Sequence, residues 1–281
     1  MIVLARFTLR EALRRRVFVV VAILTVAFLV LYGLGVREAF QTAGDFGFGG
    51  GAVDPDVVVG STMLGLAMFA TLFLGVVLAI FLTLGAVRGD ADRGLLQPVV
   101  VRPLSRGQVF LSRLLAAGGV SAVYAIVVYV VAVLITRSAG DFTPANVLSP
   151  ALALALGVVI VAALSLVGST VLASTANGIA VFMAFGAGLV AGLLGQIGRA
   201  LNNSTLTDVG DVTAWALPFE ALYQHALFDL TSNAGGFNTF VLQLGPLGGA
   251  RDGGAALWPF ALGCLVVVAA IGVVLFRRRD L

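Results

Sequence analysis

Six long stretches of this chain are almost purely apolar, and the segments between them are charged, glycine-rich or broken by proline. The apolar stretches run over 17–36, 57–87, 114–136, 147–173, 178–198 and 255–276. Each is long enough for a helix to cross a bilayer, which takes roughly 20 residues. None contains Asp, Glu, Lys, Arg or His. The pattern predicts an all-α polytopic membrane protein, a single transmembrane domain over 1–281 with six spans.

Two further segments have helical periodicity. In residues 1–16, Ile2, Ala5, Leu9, Ala12 and Leu13 share one face while Arg6, Arg10 and Arg14 run along another. Such a helix suits the headgroup region, with its cations on membrane lipid, and predicts an N-terminal elbow. A charged signal-peptide start would look similar, but no small-residue cleavage site follows the first apolar run, so that run reads as a retained span. The second segment lies in the 199–254 loop. There Phe219, Leu222, Tyr223, Ala226, Leu227 and Leu230 recur at helical spacing, with Glu220, Gln224, His225 and Asp229 mostly opposite. This predicts an amphipathic helix lying on or dipping into the outer leaflet before the last span, with His225 facing water.

Composition narrows the chemistry. Only 11% of the 281 residues are charged, against about 25% in soluble domains, which leaves too little polar surface for a soluble domain anywhere. All 17 basic residues are arginine. Without a lysine the chain cannot build a Walker A phosphate loop, so it is not its own P-loop ATPase and no cofactor is expected in it. One histidine and the single cysteine, Cys264, exclude an internal disulfide and a His/Cys zinc site, and no metal is expected. At membrane depth the spans offer hydroxyls such as Ser165, Ser169 and Thr170, but no acid or base for an intramembrane enzyme. They also lack the carboxylate or histidine with which an ion-driven carrier binds its coupling ion. The energy is therefore expected from outside the membrane.

Charge asymmetry sets the orientation. Segments 1–16, 88–113 and 277–281 carry thirteen arginines against four carboxylates. The opposite segments carry Arg37, Arg137, Arg199 and Arg251 against ten carboxylates. The positive-inside rule predicts both termini inside. The 199–254 loop then lies outside, and 88–113 is the largest inner loop, since the turn between the fourth and fifth spans has only Ser174, Thr175, Ala176 and Asn177.

That inner loop reads RGDADRGLLQPVVVRPLSRGQVFLSR. Asp90 and Asp92 precede a short apolar turn, where they can cap a small helix. Pro98 and Pro103 each push the residue before them out of helical conformation. Ser105 and Gln108 have the spacing of a capping box that would start the third helix before it enters lipid at Leu114. On these grounds the segment is either a stiff docking peg or a solvated linker.

The loop resembles the one between the second and third spans of ABC-2-type transporter permeases, bacterial six-span proteins that include drug-efflux and nitrous-oxide-reductase-maturation permeases. Gly89, Asp92, Gly94, Leu96, Val101, Arg102, Pro103, Leu104, Ser105, Arg106 and Arg113 stand in corresponding places. Asp92 replaces the more usual glutamate, Leu95 a threonine, and Arg113 a lysine, while Pro98 interrupts the apolar turn. The arginine-rich elbow, the six spans, the LPFEALYQHALFDL stretch and the terminal RRRDL extend the resemblance along the chain.

The resemblance implies a membrane subunit that pairs with a second copy and rests on two cytoplasmic ABC ATPase subunits, which bind ATP and magnesium. It implies a bacterial cytoplasmic-membrane location and an export role, with no nucleic acid involved. The loop would be the coupling helix, with Asp90, Asp92, Arg93, Gly94, Leu95, Leu96, Arg102, Pro103, Ser105 and Arg106 as ATPase contacts. In such permeases the second and fifth spans line a central cavity. Thr62, Met63, Met68, Phe69, Thr71, Phe73, Phe182, Met183 and Phe185 are therefore candidates for its wall, against simple core or lipid-facing packing. Soft Met and Phe walls suit an amphipathic or lipid-like cargo. The alternative is a permease that transmits ATP-driven motion to an extracytoplasmic partner through the 199–254 loop.

Overall fold

A computed structural model of the chain describes residues 16–42, 54–84, 106–231 and 250–278, and all of their regular structure is helical. The helices are α1 (Arg16–Thr42), α2 (Pro55–Thr83), α3 (Arg106–Gly140), α4 (Leu148–Val171), α5 (Ser174–Ala200), α6 (Ser204–Ala216), α7 (Pro218–Thr231) and α8 (Leu257–Arg277). Six of them, α1 to α5 and α8, are long and apolar enough to cross a membrane. The start of α1 and the end of α8 lie on one side of the bundle, the terminal side. The predicted elbow (1–15), the glycine-rich 43–53, the central loop from Gly85 to Ser105 and residues 232–249 and 279–281 lie outside the described residues.

The spans overrun or fall short of the apolar runs where local chemistry says they should. Helix α1 continues past Val36 to Thr42, since Arg37 and Glu38 can sit in the headgroup region without breaking a helix. Helix α2 opens at Pro55, whose ring fits the first helical position, and Asp54 caps it by accepting from the Asp56 amide at 3.1 Å. Helix α3 begins at Arg106 and runs for 35 residues, which is about 52 Å and far more than the ~30 Å of hydrocarbon. Helix α5 starts at Ser174, not near 178, so the turn from α4 is reduced to Leu172 and Ala173. Asn177, expected in that turn, is fully buried in the bundle, where its Nδ2 donates to the Ser165 carbonyl at 2.9 Å.

Helix α4 is the central post. Leu154, Val158, Ile160, Val161 and Leu166 are buried along it, and α2, α3, α5, α7 and α8 all lean on it. Cross-span hydrogen bonds join Tyr32 of α1 to Thr136 of α3 at 2.6 Å and Thr83 of α2 to Ser165 of α4 at 2.7 Å. Helix α8 packs on α3 where Phe110 and Phe276 meet at 6.3 Å. By contrast, α5 barely touches α2, and a cleft runs between them.

Candidate functional site

The cleft is closed on one side by a hairpin that the apolar pattern does not reveal. After Ala200 the chain reverses at Leu201 and Asn202, the latter with φ 51°, in the left-handed region that asparagine tolerates. Asn203 caps α6 by accepting from the Leu206 amide at 3.2 Å. Helix α6 then returns antiparallel along α5. A Cβ built on Gly195 would lie 3.2 Å from the Gly210 Cα, so the two backbones meet with no side chain between them. Leu217, ahead of a proline, leaves helical conformation. Pro218 then starts α7, which climbs back toward the Thr231 end. Phe219 at the bottom packs on Gly157 of α4 and Gly188 of α5.

Gly192, eight residues inside the Ala200 end of α5, lies about 12 Å below it at the ordinary helical rise. Glu220 Oε1 and Gln224 Nε2 press against this glycine. The hairpin thus dips well into the bundle, and α7 carries a carboxylate in between the spans. Its predicted extent, near 219–230, agrees with the observed Pro218–Thr231, and of the two predicted placements, on the leaflet or dipping into it, burial in the bundle fits the second. Phe219, Leu222, Ala226, Leu227 and Leu230 are buried, and on the opposite face Glu220 and Gln224 are only 4% and 5% exposed. Both faces are covered because α4 takes one and α5 part of the other. His225, expected in water, is also buried: its ring meets Trp258 edge-on at 6.1 Å, and it lies 3.8 Å from Asp229 and 3.6 Å from Asp252.

Between α2, α5 and α7 is a cavity of about 370 Å³. Leu66, Phe69, Leu189, Leu193 and Leu227 form its apolar wall, and Thr62, Gln196, Glu220, Tyr223 and Gln224 supply its polar groups. Glu220 Oε1 accepts from Gln224 Nε2 at 3.1 Å, while Oε2 is buried and has no hydrogen-bond partner among the described residues. Helix α7 is not a span, and burial on it pushes the Glu220 carboxyl up to about 7, the Gln224 amide opposing the shift. Burial, and then the Glu220 charge, pushes the Tyr223 phenol up as well. The spans carry no acidic group at their apolar core, but the hairpin packs one against them at the level of Gly192.

The sequence-derived candidates separate into distinct environments. Thr62 and Phe69 line the cavity. Phe73 stacks on Phe69 at 6.5 Å and meets Phe185 at 6.4 Å, and Phe185 meets Phe219 at 5.5 Å, making an aromatic ladder from α2 through α5 to α7. Phe182 and Met183 line a second hollow of about 500 Å³ in the same cleft, nearer the terminal side, with Ile80, Phe81 and Ile179. Met63 packs against the core, and Met68 and Thr71 are fully buried in it, turned away from both hollows. Among the ATPase candidates, Asp90, Asp92, Arg93, Gly94, Leu95, Leu96, Arg102, Pro103 and Ser105 lie outside the described residues, as does the side chain of Arg106. Reasoning from the sequence did not find Glu220, Tyr223, Gln224 or Gln196 as site residues. The available signal was the buried stripe Gly188, Gly192, Gly195 and Gly198 on α5, matched by Gly210: small residues that call for a closely packed helix.

Six apolar spans around a central post, with a helical hairpin folded back between them, define a multi-pass membrane protein with a laterally placed cavity. The family model described as ABC-2 family transporter protein matches residues 2–281. The chain belongs to the ABC-2 family and is a permease component of that transporter class. No curated protein matches it.

Proposed function

We propose that the chain is the membrane subunit of an ATP-driven exporter, moving an amphipathic cargo outward by alternating access. The terminal side is cytoplasmic, as the arginine distribution favours. Two copies pair through their α2–α5 flanks, and each rests on a separate ABC ATPase that binds ATP and magnesium. The central loop is the coupling element, with Asp90, Asp92, Arg93, Gly94, Leu95, Leu96, Arg102, Pro103, Ser105 and Arg106 toward the ATPase. No catalytic group of the ATPase reaction belongs to this chain.

The observation that carries this reading is the α2–α5 cleft. It holds two hollows on one flank, walled by Thr62, Phe69, Phe182 and Met183, and it lies between spans that scarcely bind one another, so they can part without breaking a packed interface. Service to an extracytoplasmic partner is less well supported, since α6 and α7 fold much of the 199–254 loop back into the bundle.

Purification from the native host in mild detergent tests the assembly. An ABC ATPase subunit is expected at one to one, and lost when Asp92→Arg and Arg102→Glu are combined. Recovery of the chain alone, with no ATPase activity, overturns the proposal.

A further inference from the structure

We propose that the α2–α5–α7 cavity selects a cationic amphiphile, the Glu220 carboxylate meeting the positive head and the leucine and phenylalanine wall taking the apolar body. This rests on reading the cleft as the cargo path. The cavity's roughly 370 Å³ falls in the ordinary range for small-molecule sites, about 300–1,000 Å³, which pair an apolar lining with a few fixed polar groups.

The sign of the ligand follows from what faces Glu220. From α2 the cavity receives Thr62, Gly65, Leu66 and Phe69, and from α5 Leu189, Gly192, Leu193 and Gln196, none of them ionisable. On α7 itself Tyr223 is the only other titratable group in the lining. Outside the lining, Arg199 of α5, whose Nη1 lies 3.6 Å from where a Cβ on Gly195 would stand, and Arg251 from ahead of α8 both pair with Asp211 of α6. His225 sits among Asp229, Asp252 and Trp258. Among the described residues no cation of the lining compensates the Glu220 carboxyl, which belongs to the cavity wall and whose Oε2 is buried with no hydrogen-bond partner there.

A buried charge without a counter-ion is costly, and a ligand that brings the counter-ion with it recovers that cost on binding. An anion would be repelled by the carboxylate, and a neutral ligand could donate a hydrogen bond but would leave the charge uncompensated. The start of α7 adds a weak preference for the ionised form, through the helix dipole acting on a carboxylate in the first turn. Gln224 fixes the carboxylate plane by holding Oε1. Binding a cation to the carboxylate also displaces any proton it holds, so affinity rises with pH through the neutral range.

The test uses the chain with its ATPase in phosphatidylcholine nanodiscs. Binding of tetraphenylphosphonium is measured against tetraphenylborate, an ion of similar shape and opposite sign, with uptake by protein-free discs subtracted. The wild type is expected to prefer the phosphonium by at least tenfold, Glu220→Gln to lose that preference, and Glu220→Asp to keep part of it. Gln196→Arg, which sets a positive charge in the lining, is expected to reverse it. This second variant keeps the test decisive if Glu220→Gln does not assemble. Equal binding of both ions by the wild type, or phosphonium binding indifferent to Glu220→Gln and Gln196→Arg, overturns the proposal. ATP-driven uptake into inverted vesicles is scored separately. Selective binding without ATP-driven movement defeats the export reading and leaves the cation site standing.

Discussion

Glu220 and Gln224, one turn apart on α7, share a hydrogen bond of 3.1 Å inside the bundle, and the carboxylate oxygen left over has no hydrogen-bond partner among the described residues. The pair inverts what α7 would do as a surface helix, where both side chains would be solvated. Placing them at the foot of a hairpin costs the free energy of dehydrating a carboxyl, a cost usually accepted only where a site needs the group.

That cost predicts a pH dependence. The folded carboxyl titrates at about 7 against 4.5 for the free group, so the folded state holds the proton more tightly. Stability is full below the unfolded value and is lost as pH rises toward 7, reaching a deficit of about 3 kcal/mol at ~1.4 kcal/mol per unit. Glu220→Gln keeps an acceptor for Gln224 and has no charge to dehydrate. Thermal unfolding in detergent should show the wild type weakening from about pH 5 to pH 8 and the variant holding steady. Parallel pH profiles would remove the carboxylate from the account.

The glycines of α5 predict a contrast within one helix. A Cβ on Gly192 runs into Glu220 Oε1 and Gln224 Nε2, whereas a Cβ on Gly186 meets nothing within 4 Å. Gly192→Ala should cost about 1–3 kcal/mol by overpacking and disturb the hydrogen-bonded pair. Gly186→Ala should be neutral or slightly stabilising, because alanine is the better helix former by about 1 kcal/mol. Melting temperatures of the two variants, side by side, check the hairpin's depth directly. Equal effects would mean that α7 does not reach Gly192.

Much of the fold is legible in the sequence for a plain reason: a span must be a long run free of charge, and hydrocarbon enforces that pattern. The same logic hides the site. Residues 204–231 carry Asp208, Asp211, Glu220, His225 and Asp229, so no hydropathy reading puts them at membrane depth. What brings Glu220 in is packing complementarity, Gly195 against Gly210 and Gly188 against Phe219, which links residues of separate helices and leaves only a stripe of small residues as its trace. Thr62 and Phe69 could be named because the resemblance to ABC-2-type permeases points to their span, the second, and to the fifth as cavity walls. Met68 and Thr71 lie a few residues away on that same span yet face the core, because periodicity alone cannot say which face of an all-apolar helix looks at a cleft.

Asp211 should act as the clasp that ties the hairpin to its surroundings. It pairs with Arg199 on α5 at 3.8 Å and with Arg251 ahead of α8, all three partly exposed. Exposed pairs contribute little, about 0.2–1 kcal/mol each, and are screened by salt. Asp211→Asn should therefore lower the melting temperature modestly at low ionic strength, with the difference from wild type fading in high salt. A loss that is large and insensitive to salt would point to a packing role for Asp211 instead.

At the terminal side, Ser165 of α4 joins two neighbours at once. Its carbonyl accepts from Asn177 Nδ2 at 2.9 Å and its hydroxyl accepts from Thr83 Oγ1 at 2.7 Å, so α2, α4 and α5 are pinned where the cleft between α2 and α5 ends. Interhelical hydrogen bonds within a membrane contribute about 0.6 kcal/mol on average and up to ~1.7. Asn177→Ala also vacates space in a fully buried position, so it should cost more than Ser165→Ala, about 1–3 kcal/mol against ~1. The backbone carbonyl survives in Ser165→Ala, so the shorter Asn177 bond should persist there, but Asn177 Nδ2 also reaches the Ser165 hydroxyl at 3.5 Å, so the double variant should depart from additivity. Gly168→Ala provides an independent reading, since its Cβ drives into Asn177 Oδ1 and should displace the same side chain. If α5 rocks against α2 and α4 during the transport cycle, loosening this pin should raise basal ATP hydrolysis of the complex while lowering its dependence on cargo. A variant that melts lower yet leaves both rates untouched would confine the Ser165–Asn177 contact to holding the fold.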